Sequence, residues 1–213
     1  MQHPGTRRLN PDANDIVILT ARQCKRASDD LINLINKIGL ASSRAQGLNH
    51  VITTFNSFSN SDCKMYILLS EDHKSVVGFV KVGIRNLFLW DRKGIQHEKK
   101  GLCLLDFFTY PECQRRGYGK KMIDVMLKDN NLEMMQIPID RPSNLCLSFM
   151  AKHFGLTEFL KQANNFVVFD QYWTSQKNMN DELPPALQFN RPTPRFVLPP
   201  KKENQPMRAN TPI

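Results

Sequence analysis

The segment Gln114-Arg115-Arg116-Gly117-Tyr118-Gly119 combines cationic side chains with two closely spaced glycines. An amphipathic pattern begins immediately after it, so this segment is expected to form the N-terminus of a helix. Such a terminus presents unpaired amide N–H groups and roughly half a positive charge. Glycine also lets the backbone approach a bulky anion closely. The spacing therefore predicts a pyrophosphate-binding turn, although it also suits a tight strand–helix turn whose basic residues are merely solvated.

Two common nucleotide-binding loops do not fit this turn. A Walker-type loop is excluded because the Gly-Lys-Ser/Thr sequence is missing. A dinucleotide fold is disfavoured because the preceding strands are predicted to be hairpin-linked and not part of a βαβ unit. The ligand class therefore has to be inferred from the order of the surrounding elements.

Asp140 and Cys103 are two further residues with reactive side chains. Asp140 ends an apolar segment against Arg141 and Pro142, where its carboxylate could face a cleft and act as a base. The alternative is a turn aspartate that caps the helix beginning near Ser143. Cys103 lies in an apolar strand, "GLCLLDFF", where a cysteine usually fills the core.

The elements that must position these residues follow the order antiparallel meander, helix, strand, helix, strand. This order predicts a mixed α/β domain with one central, mostly antiparallel sheet flanked by helices. Gly39 is expected to stop or bend the first helix, and residues 41–48 are expected to add a further helical turn or two. Strands are predicted at 15–20, 64–70, 75–90, 98–108, 134–142 and 164–173, and helices at 28–39, after the glycine turn, and at 143–155.

Composition narrows the class of protein. The chain has 213 residues, 41% of them hydrophobic, and a net charge of +9, which favours an acidic partner. Its five cysteines form no CxxC pair, so an intracellular, reducing compartment is expected. Neither a secretion signal nor a membrane span is expected. The histidines show no ligand spacing, so no metal is predicted.

The predicted organisation is a flexible N-terminus (1–14), the domain (15–176) and a proline-rich, basic, disordered tail (177–213).

Several motifs occur in order: "GFVKVGIRNLFLWDRKG", "LCLLDFF", "CQRRGYGKKM", "IDRPS", "KHFGL" and "NNFVVFDQY". Together they resemble the alpha-tubulin N-acetyltransferases of the GNAT superfamily, over about residues 15–176. The resemblance implies a GNAT-like fold and acetyl transfer from acetyl-CoA to a lumenal lysine of alpha-tubulin. It also implies a monomeric enzyme on the cytoplasmic microtubule cytoskeleton, with axonal and ciliary microtubules as candidate sites.

The resemblance also assigns roles to individual residues. It makes Asp140 the leading candidate for the base, Cys103 the second active-site residue and Gln46 a residue needed for activity. Without the resemblance, Gln46 could equally be an exposed helix residue. Direct attack of the lysine in a ternary complex is expected, with nucleophilic catalysis by Cys103 as the alternative.

Cofactor contacts are expected from the glycine turn, the strand before it and the following helix, and substrate contacts from nearby basic residues. The cofactor-binding candidates are Phe107, Phe108, Thr109, Gln114, Arg115, Arg116, Gly117, Tyr118, Gly119, Lys120, Ser143, Asn144, Ser148 and Lys152. The substrate-binding candidates are Lys81, Arg85 and Arg141.

Two other functions stay open: acetylation of a different protein lysine, and a non-catalytic module that binds microtubules or nucleic acid. The phenylalanines, however, fit strand and helix patterns better than the stripe of aromatic residues that a nucleic-acid-binding surface would show.

Overall fold

The computed structural model describes residues 11–175. The predicted tail at 177–213 and most of the predicted N-terminal segment therefore lie outside the described residues. Within 11–175, none of the helices combines the length and hydropathy that crossing a bilayer requires.

A single seven-stranded sheet organises the domain, with strand order β1-β2-β3-β4-β5-β7-β6. All neighbouring strands are antiparallel except β4 and β5, which run parallel. This confirms the predicted mostly antiparallel sheet. The strands are β1 Ile16–Thr20, β2 Lys64–Leu69, β3 Val76–Trp90, β4 Gln96–Thr109, β5 Ile139–Asp140, β6 Phe159–Lys161 and β7 Phe166–Phe169.

Helices cover both faces of the sheet. The helices are α1 Asp29–Ala45, α2 Phe55–Ser59, α3 Tyr118–Asn130, α4 Asn144–Phe154 and α5 Gln171–Ser175. On one face, Ile35 and Ile38 of α1 pack with Cys103 in one buried cluster. On the other face, Met122 of α3 and Met150 of α4 share a second cluster with strand residues such as Leu104 and Ile139. Alternate residues of each strand therefore feed two separate cores.

Three parts of the chain differ from the sequence-based prediction. α1 continues through Gly39. The glycine is there because of close packing, since a Cβ at this position would clash with the carbonyl oxygen of Thr53. The segment predicted as a strand at 134–142 is a 3₁₀ turn, Met134–Gln136, followed by the two-residue β5. The predicted final strand is shorter, because α5 begins at Gln171.

The β3–β4 hairpin extends beyond the rest of the sheet and is held by the turn between β6 and β7. The side-chain amide of Gln162 accepts a hydrogen bond from Trp90 N (2.7 Å) and donates one to Trp90 O (3.0 Å). Asn164 donates to the carbonyl oxygen of Phe88 at 3.5 Å. Arg92 in the hairpin turn binds both carboxylate oxygens of Asp170. The hairpin is therefore fixed to the turn before β7 and to Asp170, which directly follows β7.

Candidate active site

β4 and β5 separate at the centre of the sheet. They pair at Leu104 and Ile139, where Leu104 N donates to Pro138 O at 2.9 Å. β5 ends at Asp140, whereas β4 continues to Thr109 with β3 on one edge and no strand of the described chain on the other. The separation leaves an open strand edge that runs from Asp140 towards the glycine turn.

The glycine turn has the backbone of an anion-binding site. Arg115 and Gly117 both adopt left-handed conformations, with φ of 63° and 83°, and Gly117 directly precedes α3. Lys121 N is the first helix amide with a partner, Gly117 O at 3.0 Å. Among residues 11–175, no backbone acceptor binds the preceding amides at 117–120. These converging N–H groups are available to a ligand.

Gly119 brings the turn close to β4 and α4. A Cβ at this position would lie 3.1 Å from Phe107 and 3.2 Å from Phe149. The two phenylalanine rings contact each other, with centroids 5.1 Å apart. The three elements expected to contact a cofactor therefore meet at one point. Gly119 is needed for this packing, in addition to any close approach of an anion.

The polar side chains of the turn differ in availability. Gln114 is exposed and donates to Thr109 O at 3.0 Å, which fixes the loop. Arg115 and Arg116 are exposed, without an ion pair to any described residue. Lys120 is already paired with Asp124 at 2.6 Å and lies over the Phe154 ring. The two arginines are thus the cations best placed to meet a phosphate.

The candidates on α4 and β4 have mixed environments. Ser143 caps α4 by accepting a hydrogen bond from Cys146 N, so its hydroxyl already has a structural role. Phe107 faces α4 and α3, whereas Phe108 is buried on the opposite face against Phe79. Side-chain contact between Phe108 and a cofactor at the open edge is therefore not supported. Asn144, Ser148 and Lys152 are exposed.

The Asp140 carboxylate is partly buried and incompletely paired. Its side chain is 26% exposed, and Arg141 Nε lies 3.4 Å from Oδ1. This is an ion-pair contact without hydrogen-bond geometry, since no described donor satisfies the buried Oδ1. Burial raises the pKa of the Asp140 carboxyl, and the attraction of cationic neighbours, Arg141 first, offsets only part of that effect. The carboxylate is a stronger base than an ordinary aspartate.

Cys103 lies on the same face of the sheet as Asp140, in the core beneath α1. Its side chain is 0% exposed. Burial raises the pKa of the Cys103 thiol to about 12. A thiol in this environment is protonated at neutral pH and poorly suited to nucleophilic attack.

Gln46 and Lys81 are held in a buried polar network. Gln46 Nε2 donates to Ser42 Oγ at 2.8 Å and to Asp106 Oδ1 at 3.1 Å. Lys81, expected from the sequence at the substrate surface, is 8% exposed and donates to Thr53 Oγ1 at 2.6 Å. Burial lowers the pKa of the Lys81 ammonium, and the nearby Asp106 carboxylate partly opposes this. Lys81 therefore acts within the protein interior.

The other two substrate candidates are accessible. Arg85 is half-buried and forms an ion pair with Asp62 at 3.2 Å. Arg141 is exposed, has a positive φ of 42°, and donates its amide to Asn165 O at 3.1 Å. Since a non-glycine residue at positive φ is uncommon and strained, the Asp140–Arg141 corner is held in place by its surroundings.

Asp106 and Thr53 were missed by the sequence analysis. Asp106 is 5% exposed and Thr53 is fully buried, and both join the network around Gln46. The signal for Asp106 was a carboxylate with leucines before it and phenylalanines after it in "LCLLDFF", since a buried charge requires partners. Among residues 11–175, no group of three or more His, Cys, Asp or Glu side chains could hold a metal.

Comparison with known proteins places this arrangement in a family. The sequence profile of the family described as GNAT acetyltransferase, Mec-17, matches residues 6–195. An alpha-tubulin N-acetyltransferase of Trichoplax adhaerens is 42% identical, over 76% of this chain and 72% of its own length. One of Aedes aegypti is 35% identical over 75% of this chain, and the match spans 60% of that relative. The match to one of Tetrahymena thermophila spans 37% of that relative.

A solved structure shares the fold. The xEco2 acetyltransferase domain, bound to a K105-CoA conjugate, has a TM-score of 0.51 at 10% identity. The superposition covers 75% of this chain and 95% of that domain. At this identity the similarity concerns the fold alone.

Proposed function

Because this chain belongs to the GNAT acetyltransferase, Mec-17 family, we propose that it is an alpha-tubulin N-acetyltransferase. It transfers an acetyl group from acetyl-CoA to a lysine side chain of alpha-tubulin in microtubules. A relative that carries this name, from Trichoplax adhaerens, is 42% identical to this chain. The match spans 60% of the Aedes aegypti relative and 37% of the Tetrahymena thermophila relative, so the activity has to be tested on this chain directly.

The observation that carries the proposal is the open edge of β4 between the glycine turn and Asp140. An extended ligand anchored at the turn could follow β4 back towards Leu105, which is next to β5. Thr109 lies four positions after Leu105, which corresponds to about 13 Å of strand. The edge therefore joins an anion-binding end to a carboxylate with raised pKa.

The residues at this edge fit acetyl-CoA. The free amides at 117–120, with Arg115 and Arg116, would hold the diphosphate, and the unpaired edge of β4 would hold an amide-containing arm by backbone hydrogen bonds. Phe107 and Phe149 provide an apolar wall beside it. When bound, acetyl-CoA supplies an activated acyl thioester.

The chemistry of the acceptor explains the role of Asp140. A lysine amine has a reference pKa of about 10.4, so making it neutral at pH 7 costs roughly 4 kcal/mol. A carboxylate whose own pKa is raised accepts this proton more readily. The Asp140 carboxylate is the group proposed to take it: its side chain is 26% exposed, and its buried Oδ1 lacks a hydrogen-bond donor among the described residues. The lysine then attacks directly, since the Cys103 thiol is buried and protonated.

The finer details of the proposal concern the partner and the setting. The acceptor is a lumenal lysine, and the enzyme acts as a monomer on cytoplasmic microtubules, including those of axons and cilia. Arg85 and Arg141 lie near Asp140, as their effect on its pKa indicates. These cations, and the net charge of +9, favour an acidic surface such as that of tubulin.

Polymerised microtubules, acetyl-CoA and the protein, wild type or Asp140→Asn, provide the test. The wild type is expected to acetylate alpha-tubulin, and the variant to lose about 100-fold or more in kcat while binding coenzyme A normally in calorimetry. Histone H3 peptide serves as the competing acceptor. Faster acetylation of histone would overturn the tubulin assignment, and absence of coenzyme A binding would overturn the enzyme assignment.

A further inference from the structure

The Asp106 carboxylate is the centre of a buried network that the proposed mechanism leaves without a role. It accepts hydrogen bonds from Ser42 Oγ (2.9 Å), Thr53 Oγ1 (2.5 Å) and Gln46 Nε2 (3.1 Å). Lys81 donates to Thr53 and, at 3.2 Å, to Ile52 O. The charges of Lys81 and Asp106 are therefore linked through one hydroxyl group, which accepts from the ammonium and donates to the carboxylate.

A β-bulge brings Asp106 into this network. Lys81 pairs with Asp106 and Val82 with Leu104, so Leu105 is an extra residue in β4. Leu105 packs in the core beneath α1, and the next residue, Asp106, binds Ser42 of α1. Two consecutive side chains thus face the same helix, which regular alternation would not allow.

The network also determines how the Gln46 amide is oriented. An ionised carboxylate accepts hydrogen bonds but cannot donate them, so the group facing Asp106 must be the NH₂ of Gln46. Its carbonyl oxygen, Oε1, therefore points away and has no hydrogen-bond donor among the described residues, although it is not one of the buried unsatisfied atoms. With the opposite amide orientation, two acceptors would face each other. Asp106 thus selects one of two otherwise similar rotamers.

We infer that Asp106 is a positioning residue that presents the Gln46 carbonyl oxygen as a hydrogen-bond acceptor for the amine of the incoming lysine. Thr53 donates a hydrogen bond to the other carboxylate oxygen of Asp106, and Lys81 donates to Thr53. Asp106 lies close enough to Asp140 to influence it electrostatically, so the oriented oxygen belongs to the same region as the base. The inference rests on the proposed acetyl transfer.

A double-mutant cycle tests whether Asp106 acts through Gln46. Asp106→Ala, Gln46→Ala and the double variant are compared in kcat at saturating acetyl-CoA on microtubules. Each single variant is expected to lose about tenfold or more, and the double variant to lose no more than about twofold beyond Gln46→Ala. Losses that multiply in the double variant would overturn the inference, since they would show independent roles.

Milder variants address a failure of Asp106→Ala to fold. Thr53→Val removes the hydroxyl at constant shape and is expected to lower kcat, whereas Thr53→Ser restores the hydroxyl and should recover most of that loss. Equal kcat values in Val and Ser variants would contradict the network. Coenzyme A affinity, measured by calorimetry, is expected to stay within about twofold in all of them, because the glycine turn is untouched.

A spectroscopic readout separates this inference from the proposed function. In ¹⁵N-labelled protein, the side-chain NH₂ signals of Gln46 are identified by their loss in Gln46→Ala. In the wild type, these NH₂ hydrogens should exchange slowly with solvent. In Asp106→Asn, which allows both amide orientations, the chemical shifts should be averaged over the two orientations and the NH₂ hydrogens should exchange faster with solvent. Unchanged signals would overturn the inference even in an active enzyme. Normal protection without any acetyl transfer would overturn the proposed function and leave the positioning intact.

Discussion

Leu104 and Ile139 form the residue pair at which β4 and β5 run parallel, and Asp140 follows that pair directly. The pairing that joins β4 to β5 therefore places the Asp140 carboxylate at the point where the two strands begin to separate. Since Asp140 is the last residue of β5, its backbone is fixed by β7 through pairing with Phe166. The proposed base is thus carried by the sheet, whereas the edge of β4 beyond it has no partner strand among the described residues.

The conformation of Gly117 leads to a prediction with a matched control. Gly117→Ala forces an L-residue to φ 83°, which should cost about 1 kcal/mol of unfolding free energy. It should also weaken coenzyme A binding about tenfold by moving the amides. Gly94→Ala in the β3–β4 turn imposes a similar φ of 77° with equally open surroundings. Calorimetry should show weakened binding in the first variant only; equal binding would remove the turn from the cofactor site.

The raised pKa of Asp140 predicts an acid limb in the pH profile. The base must be ionised, so kcat/KM should fall as pH decreases through a pKa above the ordinary aspartate value of 3.8. The Asp140→Asn variant is expected to retain only residual activity, and that activity should lack this limb. A limb at the same pH in both proteins would assign the titration to another group.

The same shift predicts an effect on stability. Ionised Asp140 is disfavoured by burial in the folded protein, so its contribution to stability is greatest at low pH and is lost as pH rises through the folded-state pKa. Asp140→Asn should therefore unfold at higher denaturant concentration than the wild type at pH 7. The gain should shrink as pH falls through the folded-state pKa towards 3.8, the ordinary value. Urea titrations at two pH values check this; a gain independent of pH would contradict it.

Cys103→Ala tests direct attack. The thiol is 0% exposed and its pKa is raised to about 12, so we expect the variant to keep much more activity than Asp140→Asn. Some loss is expected from the cavity, which for a small side chain costs about 1 kcal/mol of stability. Intact-mass analysis of wild type incubated with acetyl-CoA should show no acetyl group on Cys103. Its accumulation during turnover would favour a covalent route.

A stability prediction concerns the C-terminal end of α3. The fully buried Tyr66 donates to Asp129 Oδ2 at 2.6 Å and accepts from Asn130 Nδ2 at 2.8 Å. Tyr66→Phe removes both bonds and should lower the free energy of unfolding by about 1–3 kcal/mol. Asp129→Asn keeps an acceptor oxygen and should cost less. Chemical denaturation with unchanged m-value provides the measurement, and equal costs would contradict the assigned hydrogen bond.

The sequence predicted the elements whose signals are local. The Ser28 cap of α1, the glycine turn before α3 and Gly155 after α4 all appear where the pattern placed them. These features depend on backbone conformation and capping within a few residues. Apolar runs bounded by polar turns were equally effective for the long strands β3 and β4.

The missed features depend on distant partners. Strict alternation would place Asp106 on the α3 face with Leu104, and nothing local announces the extra residue that reverses it. Lys81 looked like a surface cation because its partner Thr53 is 28 residues away. Gly39 was expected to stop or bend the helix, but a glycine is required there by close packing against the Thr53 carbonyl, again remote in sequence. Long-range contacts, not propensities, decide these positions.

The amides of Gln162 and Asn164 bear on how copies of the chain behave towards each other. Phe88 and Trp90 are exposed aromatic residues on a strand that outruns its neighbour β2, which is the kind of edge that pairs with another molecule. By occupying the main-chain polar groups of these residues, the two amides withhold them from intermolecular strand addition. We therefore expect these two side chains to oppose edge-to-edge association of the protein at high concentration.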